Sequence, residues 1–295
     1  MPYIRVNRVS LYYEADGQGA PVVFVHGGFP SLASALTDFS TWTWIWEKDF
    51  ADVFHFLWYE RRGCYRSLTP ASGYDLENQA LDLAKLLDRL HITSAHVVGS
   101  SAGGPISLIF AAQYPHRVRS LTLAGTGLAF FLPADPVGDL IRRLVTVLDT
   151  EGAEAAFMQR PTGVEASFEP LWVVGEMQAR GRNMEYQQRE ERLARQVQTI
   201  PKVWRVHHFA VELRAMQAYM RDDLPIYARQ VTCPTLVLHG SDDREGPLAW
   251  GVAVAEAILP ARLQIIQGEG HSLIQCSVEG RHAVISFIQG IQERV

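Results

Sequence analysis

The chain has 295 residues, 47% hydrophobic and 20% charged, with a formal net charge of −5. That length suits one large domain or a core with an insertion, and the composition is that of a soluble globular protein. Mild acidity gives no electrostatic reason to expect a nucleic acid or an anionic membrane as partner.

The N-terminal stretch YIRVNRVSLYYEA alternates apolar and polar residues and predicts a β-hairpin hinged at Asn7-Arg8. Short apolar runs follow: PVVFVHG, DVFHFLWYE, AHVVGS, SLTLAGT, PTLVLHG and RLQIIQG. Near-continuous hydrophobicity is what parallel strands covered on both faces require. Helical periodicity separates them, as in LENQALDLAKLLDRL and in ISLIFAAQYP, which Pro115 stops. The alternation predicts an open α/β sheet. From Leu128 to about residue 231 only helix-like segments occur, among them VGDLIRRLVTVLDTEGAEAAFM and EYQQREERLARQVQ. This reads as a helical insertion (128–231) between two parts of one core (1–127 and 232–295).

No apolar run is long enough to span a bilayer, and the N-terminus lacks a signal-peptide core. Cys64, Cys233 and Cys276 lie far apart, without metal-ligand spacing or an even count. Reduced thiols and a cytoplasmic location are the expectation.

The stretch VVGSSAGGP, residues 97–105, sits between a predicted strand and a predicted helix. A phosphate-cradling loop needs a lysine after the glycines, and none is present. A dinucleotide fingerprint needs G-x-G-x-x-G, whereas Gly99, Gly103 and Gly104 are spaced otherwise. G-x-S-x-G does fit, with Ser101 at its centre on a tight strand-to-helix turn. A hydroxyl becomes nucleophilic only with a base, and the base needs an orienting acid. The chain order Ser, acid, His is met, because SDDREGP follows PTLVLHG and EGHS follows RLQIIQG. Both segments lie at carboxyl ends of predicted strands, where open α/β sheets place their sites. The glycine turn after PVVFVHG offers the N–H of Gly28, or of Phe29, beside that of Ala102 as a pair of oxyanion donors.

Taken together, HGGFP at His26, ERRGCYRS at Glu60, GSSAG at Gly99, PTLVLHGSDDREGP at Pro234 and GEGH at Gly268 resemble the α/β-hydrolase fold family. The resemblance spans nearly all of the sheet-forming chain. It implies an eight-stranded, mostly parallel sheet with a helical cap inserted after the sixth strand. It also implies Ser101 as nucleophile and His271 as general base. Its G-x-x-D-x-x-x-P spacing selects Asp243 over its neighbour Asp242 as the acid. Two departures are visible: the family's D-x-R-G-x-G-x-S segment has Glu60 for its aspartate and Tyr65 for its second glycine.

The activity so implied is hydrolysis of a small-molecule carboxylic ester of small to medium size, without metal or organic cofactor, in a pocket with a largely apolar lining. No metal-ligand cluster is visible in the sequence. A proline iminopeptidase-like aminopeptidase is the runner-up, with Glu165, Glu169, Glu176 or Glu212 to hold the substrate's ammonium. Against it, the tryptophan those enzymes carry after the nucleophile is Ala102 here. Lactone and carbon–carbon bond hydrolysis use the same triad. The rival outside catalysis is a ligand sensor on a hydrolase scaffold.

Among the other residues, His26 is expected to shape the oxyanion turn and His96 to be a core residue. His207 and His208 are expected in ordinary packing or exposure within the insertion. Trp42, Trp44 and Trp46 read as packing beneath the cap, and REERLAR as a solvated helix face.

Overall fold

The computed structural model describes residues 2–37, 47–132, 135–179, 181 and 183–293. Trp42, Trp44 and Trp46 lie outside them. Each apolar run becomes a strand because alternate side chains can be buried on opposite faces. In β3 (Pro21–Val25), Val22 and Phe24 enter one core layer, and Val23 and Val25 the other.

The remaining strands are β1 (Tyr3–Val6), β2 (Val9–Asp16), β4 (His55–Tyr59), β5 (Ala95–Ser100), β6 (Val118–Ala124), β7 (Thr235–Gly240) and β8 (Ala261–Ile266). They form one sheet in the order β1-β2-β4-β3-β5-β6-β7-β8. The pairings from β4 across to β8 are all parallel, and β2 alone runs against the rest. The chain thus has the mostly parallel eight-stranded sheet expected of it. The β1–β2 hairpin turns at Asn7 and Arg8, both at positive φ (40° and 65°), the geometry that matches strand twist in a two-residue turn.

One expectation needs correcting. Unlike its neighbours, β8 is not covered on both faces: Arg262 and Ile265 are exposed. It is the edge strand, flanked by a partner on one side only, so its apolar run overstates its burial.

Helices α1 (Leu76–Arg89) and α2 (Gly103–Gln113) pack on one face of the sheet, and the C-terminal helix Val278–Gln292 on the other. Between β6 and β7 the described chain contains no strand. Its helices there are α3 (Pro136–Thr150), α4 (Ala153–Met158), α5 (Pro170–Ala179), α6 (Asn183–Thr199), α7 (Lys202–Gln217) and α8 (Leu224–Ala228). Gly152, at φ +92°, breaks the first long periodic segment into α3 and α4. Ile141, Leu144, Phe157, Phe168, Phe209 and Leu213 give this insertion an apolar cluster of its own.

Candidate active site

Ser101 follows β5 at φ +50°, a conformation that costs a non-glycine residue on the order of 1–3 kcal/mol. The surroundings enforce it. The Ser101 N–H donates to the Ala124 carbonyl at 2.9 Å, and its own carbonyl accepts from Gly104 N–H and the Thr126 hydroxyl, each at 2.8 Å. Helix α2 crosses so close to β3 that a Cβ on Gly103 would stand 2.1 Å from the Val25 carbonyl oxygen. One on Gly99 would stand 2.5 Å from the Ser107 hydroxyl. The two glycines flanking the serine are therefore steric requirements of the elbow.

His271 lies on the loop after β8, and its Nε2 is 2.8 Å from Ser101 Oγ. Its Nδ1 is 2.9 Å from Asp243 Oδ2. Gly125, at φ +54°, leaves room for this loop; a Cβ there would meet the His271 carbonyl oxygen at 2.8 Å. Asp243, on the turn after β7, accepts at Oδ1 from the N–H groups of Glu245 (3.0 Å) and Gly246 (2.8 Å). A second imidazole, His239, stands 3.3 Å from Oδ2 and hydrogen-bonds the Gly246 carbonyl at 2.9 Å. Burial alone would raise the Asp243 pKa. Hydrogen bonds from His239 and His271, the His271 charge and the Gly246 N–H outweigh it and hold the carboxyl well below the usual range. Asp242 instead accepts from the Ser241 hydroxyl at 2.9 Å.

The glycine turn lies directly against the serine: a Cβ on Gly27 would be 2.7 Å from Ser101 Cβ. His26 Nε2 accepts from the Arg61 N–H at 3.0 Å, so its proton sits on Nδ1 and is donated to the Gly27 carbonyl at 2.7 Å. Burial, reinforced by the Arg61 charge, lowers its pKa and keeps it neutral. Gly27, Gly28, Ser101 and His271 form part of the wall of a cavity of about 460 Å³. Ala102 is the N-cap residue of α2, so its N–H belongs to the donor-rich helix start. The Phe29 side chain packs instead against Phe131, Trp172 and Tyr219.

The sequence matches the family model for the alpha/beta hydrolase fold over residues 20–274. The chain belongs to the α/β-hydrolase fold family.

A putative non-heme chloroperoxidase of Synechocystis is 27% identical to this hydrolase over 291 residues, covering 92% of this chain and 94% of its own. A 2-hydroxy-6-oxo-2,4-heptadienoate hydrolase of Pseudomonas putida is 28% identical, covering 86% and 83%. The solved enol-lactonase of Burkholderia xenovorans superposes with a TM-score of 0.67 at 23% identity, covering 98% of this chain and 100% of that one.

In this α/β-hydrolase the two departures from the family pattern have physical answers. Tyr65 adopts φ +48°, the left-handed conformation that glycine takes without strain, and its ring packs edge-on against His26. Glu60, fully buried, accepts from the Arg66 N–H at 2.6 Å and the Arg66 Nε at 2.7 Å, so the longer side chain still closes the loop.

The cavity lining is largely apolar, as expected, but charged side chains also reach it. Glu169, Glu185, Arg189 and Arg192 reach it from the insertion, beside Tyr186. REERLAR is thus only partly a solvated face: Arg189 makes a two-pronged ion pair with Glu169 at 2.9 and 3.0 Å. Helical periodicity marked these residues as polar, but only packing shows which side of α6 meets the cavity. His96, His207 and His208 do not line it. His96 Nδ1 pairs with the Ser120 hydroxyl at 2.7 Å, and His207 Nε2 with the Thr69 carbonyl at 3.1 Å.

Glu212 of α7 holds the loop that carries Glu169. Its Oε1 accepts from Phe168 N–H (2.9 Å) and the Ser167 hydroxyl (3.0 Å). Burial pushes its pKa up to about 8, the two donors opposing the rise. Unfolded, the group ionises near 4.5. Its stabilising contribution is therefore complete below that value and is lost as pH rises towards 8, by on the order of a few kcal/mol. Glu212→Gln keeps an oxygen for both donors and removes the proton. Urea midpoints at pH 5 and pH 8 are expected to differ less in this variant than in the wild type; an unchanged difference would assign the slope elsewhere.

Proposed function

We propose that this chain is a serine hydrolase of carboxylic esters, with Ser101 as nucleophile, His271 as general base and Asp243 as orienting acid. The observation that carries the reading is the continuous relay Oγ···Nε2 at 2.8 Å and Nδ1···Oδ2 at 2.9 Å, on a serine held at positive φ.

Ser101 Oγ adds to the ester carbonyl as its proton passes to His271 Nε2. The imidazolium so formed is balanced by Asp243. The tetrahedral oxyanion is received by the N–H groups of Ala102 and Gly28, with Phe29 the alternative second donor. The intermediate collapses by expelling the alcohol, which takes the proton from His271. Water, deprotonated at the same nitrogen, then releases the carboxylic acid and restores Ser101. The helices of 128–231 act as the cap over this pocket, and the three free thiols fit a cytoplasmic enzyme.

The iminopeptidase reading is weaker because its candidate carboxylates are engaged. Glu169 is held by Arg189, Glu212 is buried on the Ser167–Phe168 backbone, and Glu165 accepts from Gly163 N–H. Glu176 lies outside the described side chains.

The test is fluorophosphonate labelling with peptide mapping, alongside p-nitrophenyl acetate, p-nitrophenyl butyrate and proline p-nitroanilide. Modification of Ser101 and catalytic turnover of the esters are expected. Turnover of the anilide alone would favour the peptidase, and acylation that stops at one equivalent would favour a sensor.

A further inference from the structure

Arg61 is buried, 2% exposed, directly behind the glycine turn. Its Nη1 donates to Gln79 Oε1 at 3.0 Å, and its Nη2 to the Gly27 carbonyl at 3.2 Å and to the Gly28 carbonyl. Two buried acids of this region are committed elsewhere, Glu60 to Arg66 and Asp82 of α1 to Arg62. Among the described residues, no carboxylate lies within ion-pair distance of Arg61. A guanidinium removed from water without a counter-ion is strongly unfavourable, so only a specific arrangement around it keeps it there.

A trans peptide holds its C=O and N–H on opposite sides. With the Gly27 carbonyl bound by Arg61 and His26, the N–H of Gly28 is turned the opposite way. The Gly28 carbonyl is also bound by Arg61, which turns the N–H of Phe29 likewise. Hydrogen bonding to a cation on the carbonyl side draws electron density through the amide and makes its N–H a stronger donor. Both amides belong to the turn that packs on Ser101.

We propose that Arg61 is the positioning residue of the oxyanion turn, and that its unneutralised charge strengthens the turn's N–H groups as donors to the developing oxyanion. The inference rests on the serine-hydrolase reading. It assigns to the chain's own "ERRG" segment a role beyond shaping a loop.

Arg61→Met is expected to lower kcat for p-nitrophenyl butyrate about 100-fold, the scale of one lost oxyanion donor. KM should stay within about threefold, because the interaction strengthens only as charge develops. Arg61→Lys, which keeps the charge but not the fork, should recover to within about tenfold of wild type.

Gln79→Glu separates charge from clamping. It sets a carboxylate beside the guanidinium and leaves the glycine carbonyl bonds in place. It should lower kcat by about tenfold relative to Gln79→Leu, which equally forfeits the Gln79 bond to the Tyr74 carbonyl, loses the Arg61 Nη1 contact as well, and adds no charge. The proposal is overturned if folded Arg61→Met keeps kcat within about threefold, or if it changes KM alone. Equal kcat for the two Gln79 variants also overturns it, and that comparison decides the matter if Arg61→Met does not fold. Should the wild type turn over no ester, the function reading fails. Arg61 is then judged by the rate at which fluorophosphonate modifies Ser101, a step that develops an oxyanion in the same place. The same ranking of variants supports the proposal, and equal rates refute it.

Discussion

Ser101→Ala is expected to abolish fluorophosphonate labelling and to lower kcat on p-nitrophenyl butyrate by on the order of 10⁶-fold. Oγ is the atom that His271 Nε2 addresses at 2.8 Å, and nothing else in that relay can form an acyl ester. The fold should survive. The backbone bonds that hold the elbow run from the main chain of residue 101 to Ala124, Gly104 and Thr126, and alanine keeps them all. Matched thermal midpoints would therefore accompany the loss of activity. Adding His271→Ala to Ser101→Ala should lower the rate little further, because the two residues act as a unit. Retention of one-hundredth or more of the wild-type rate, against the 10⁶-fold loss expected, would remove Ser101 from the chemistry.

Asp243→Asn should cost about 10⁴-fold in kcat through the wrong imidazole tautomer. The amide has no freedom to choose its orientation. The N–H groups of Glu245 and Gly246 both donate to the Oδ1 position and require an oxygen there. The NH₂ group is thereby forced towards His271 Nδ1, where it donates, and the imidazole proton moves to Nε2. That nitrogen then faces the Ser101 hydroxyl as a donor and cannot accept its proton. Since Asp243 is held well below the usual carboxylate range, the acid limb of the wild-type pH–rate profile should follow His271 and not the carboxylate. Asp242→Asn, altering a group bonded only to the neighbouring Ser241 hydroxyl among the side chains described, is the control and should retain full activity. Comparable losses in both variants would undo the choice between the two aspartates.

The sheet was legible because each central strand is buried on both sides and so must be apolar throughout, as β5 and β7 are. The elbow was legible because the close approach of α2 to β3 leaves only glycine as a solution at Gly103. His271 and Asp243 could be picked out because they follow strands whose ends converge. The other contributors carried weaker signals. Arg61 is one of two adjacent arginines after a strand; the sequence shows neither that Asp82 binds Arg62 nor that Arg61 has no such partner. His239 stands four residues before Asp243 inside PTLVLHG, and only the bend after β7 returns it to the carboxylate. The charged residues that reach the cavity were hidden for a different reason. Arg189 and Arg192 look like any solvated helical charges until α6 is laid over the sheet.

The strand order has a consequence for biosynthesis. β6 pairs through Leu121–Ala124 with β7 residues Thr235–Leu238, yet the 125–234 segment must be translated in between. At about 5–20 residues per second, a growing polypeptide would leave that edge open for roughly 5–20 s. The nascent sheet would thus expose bare backbone while the ribosome works through the intervening helices, whose own apolar cluster could condense meanwhile. Holdase chaperones would find their window there, and Asp243 and His271 would join Ser101 only as the last strands emerge.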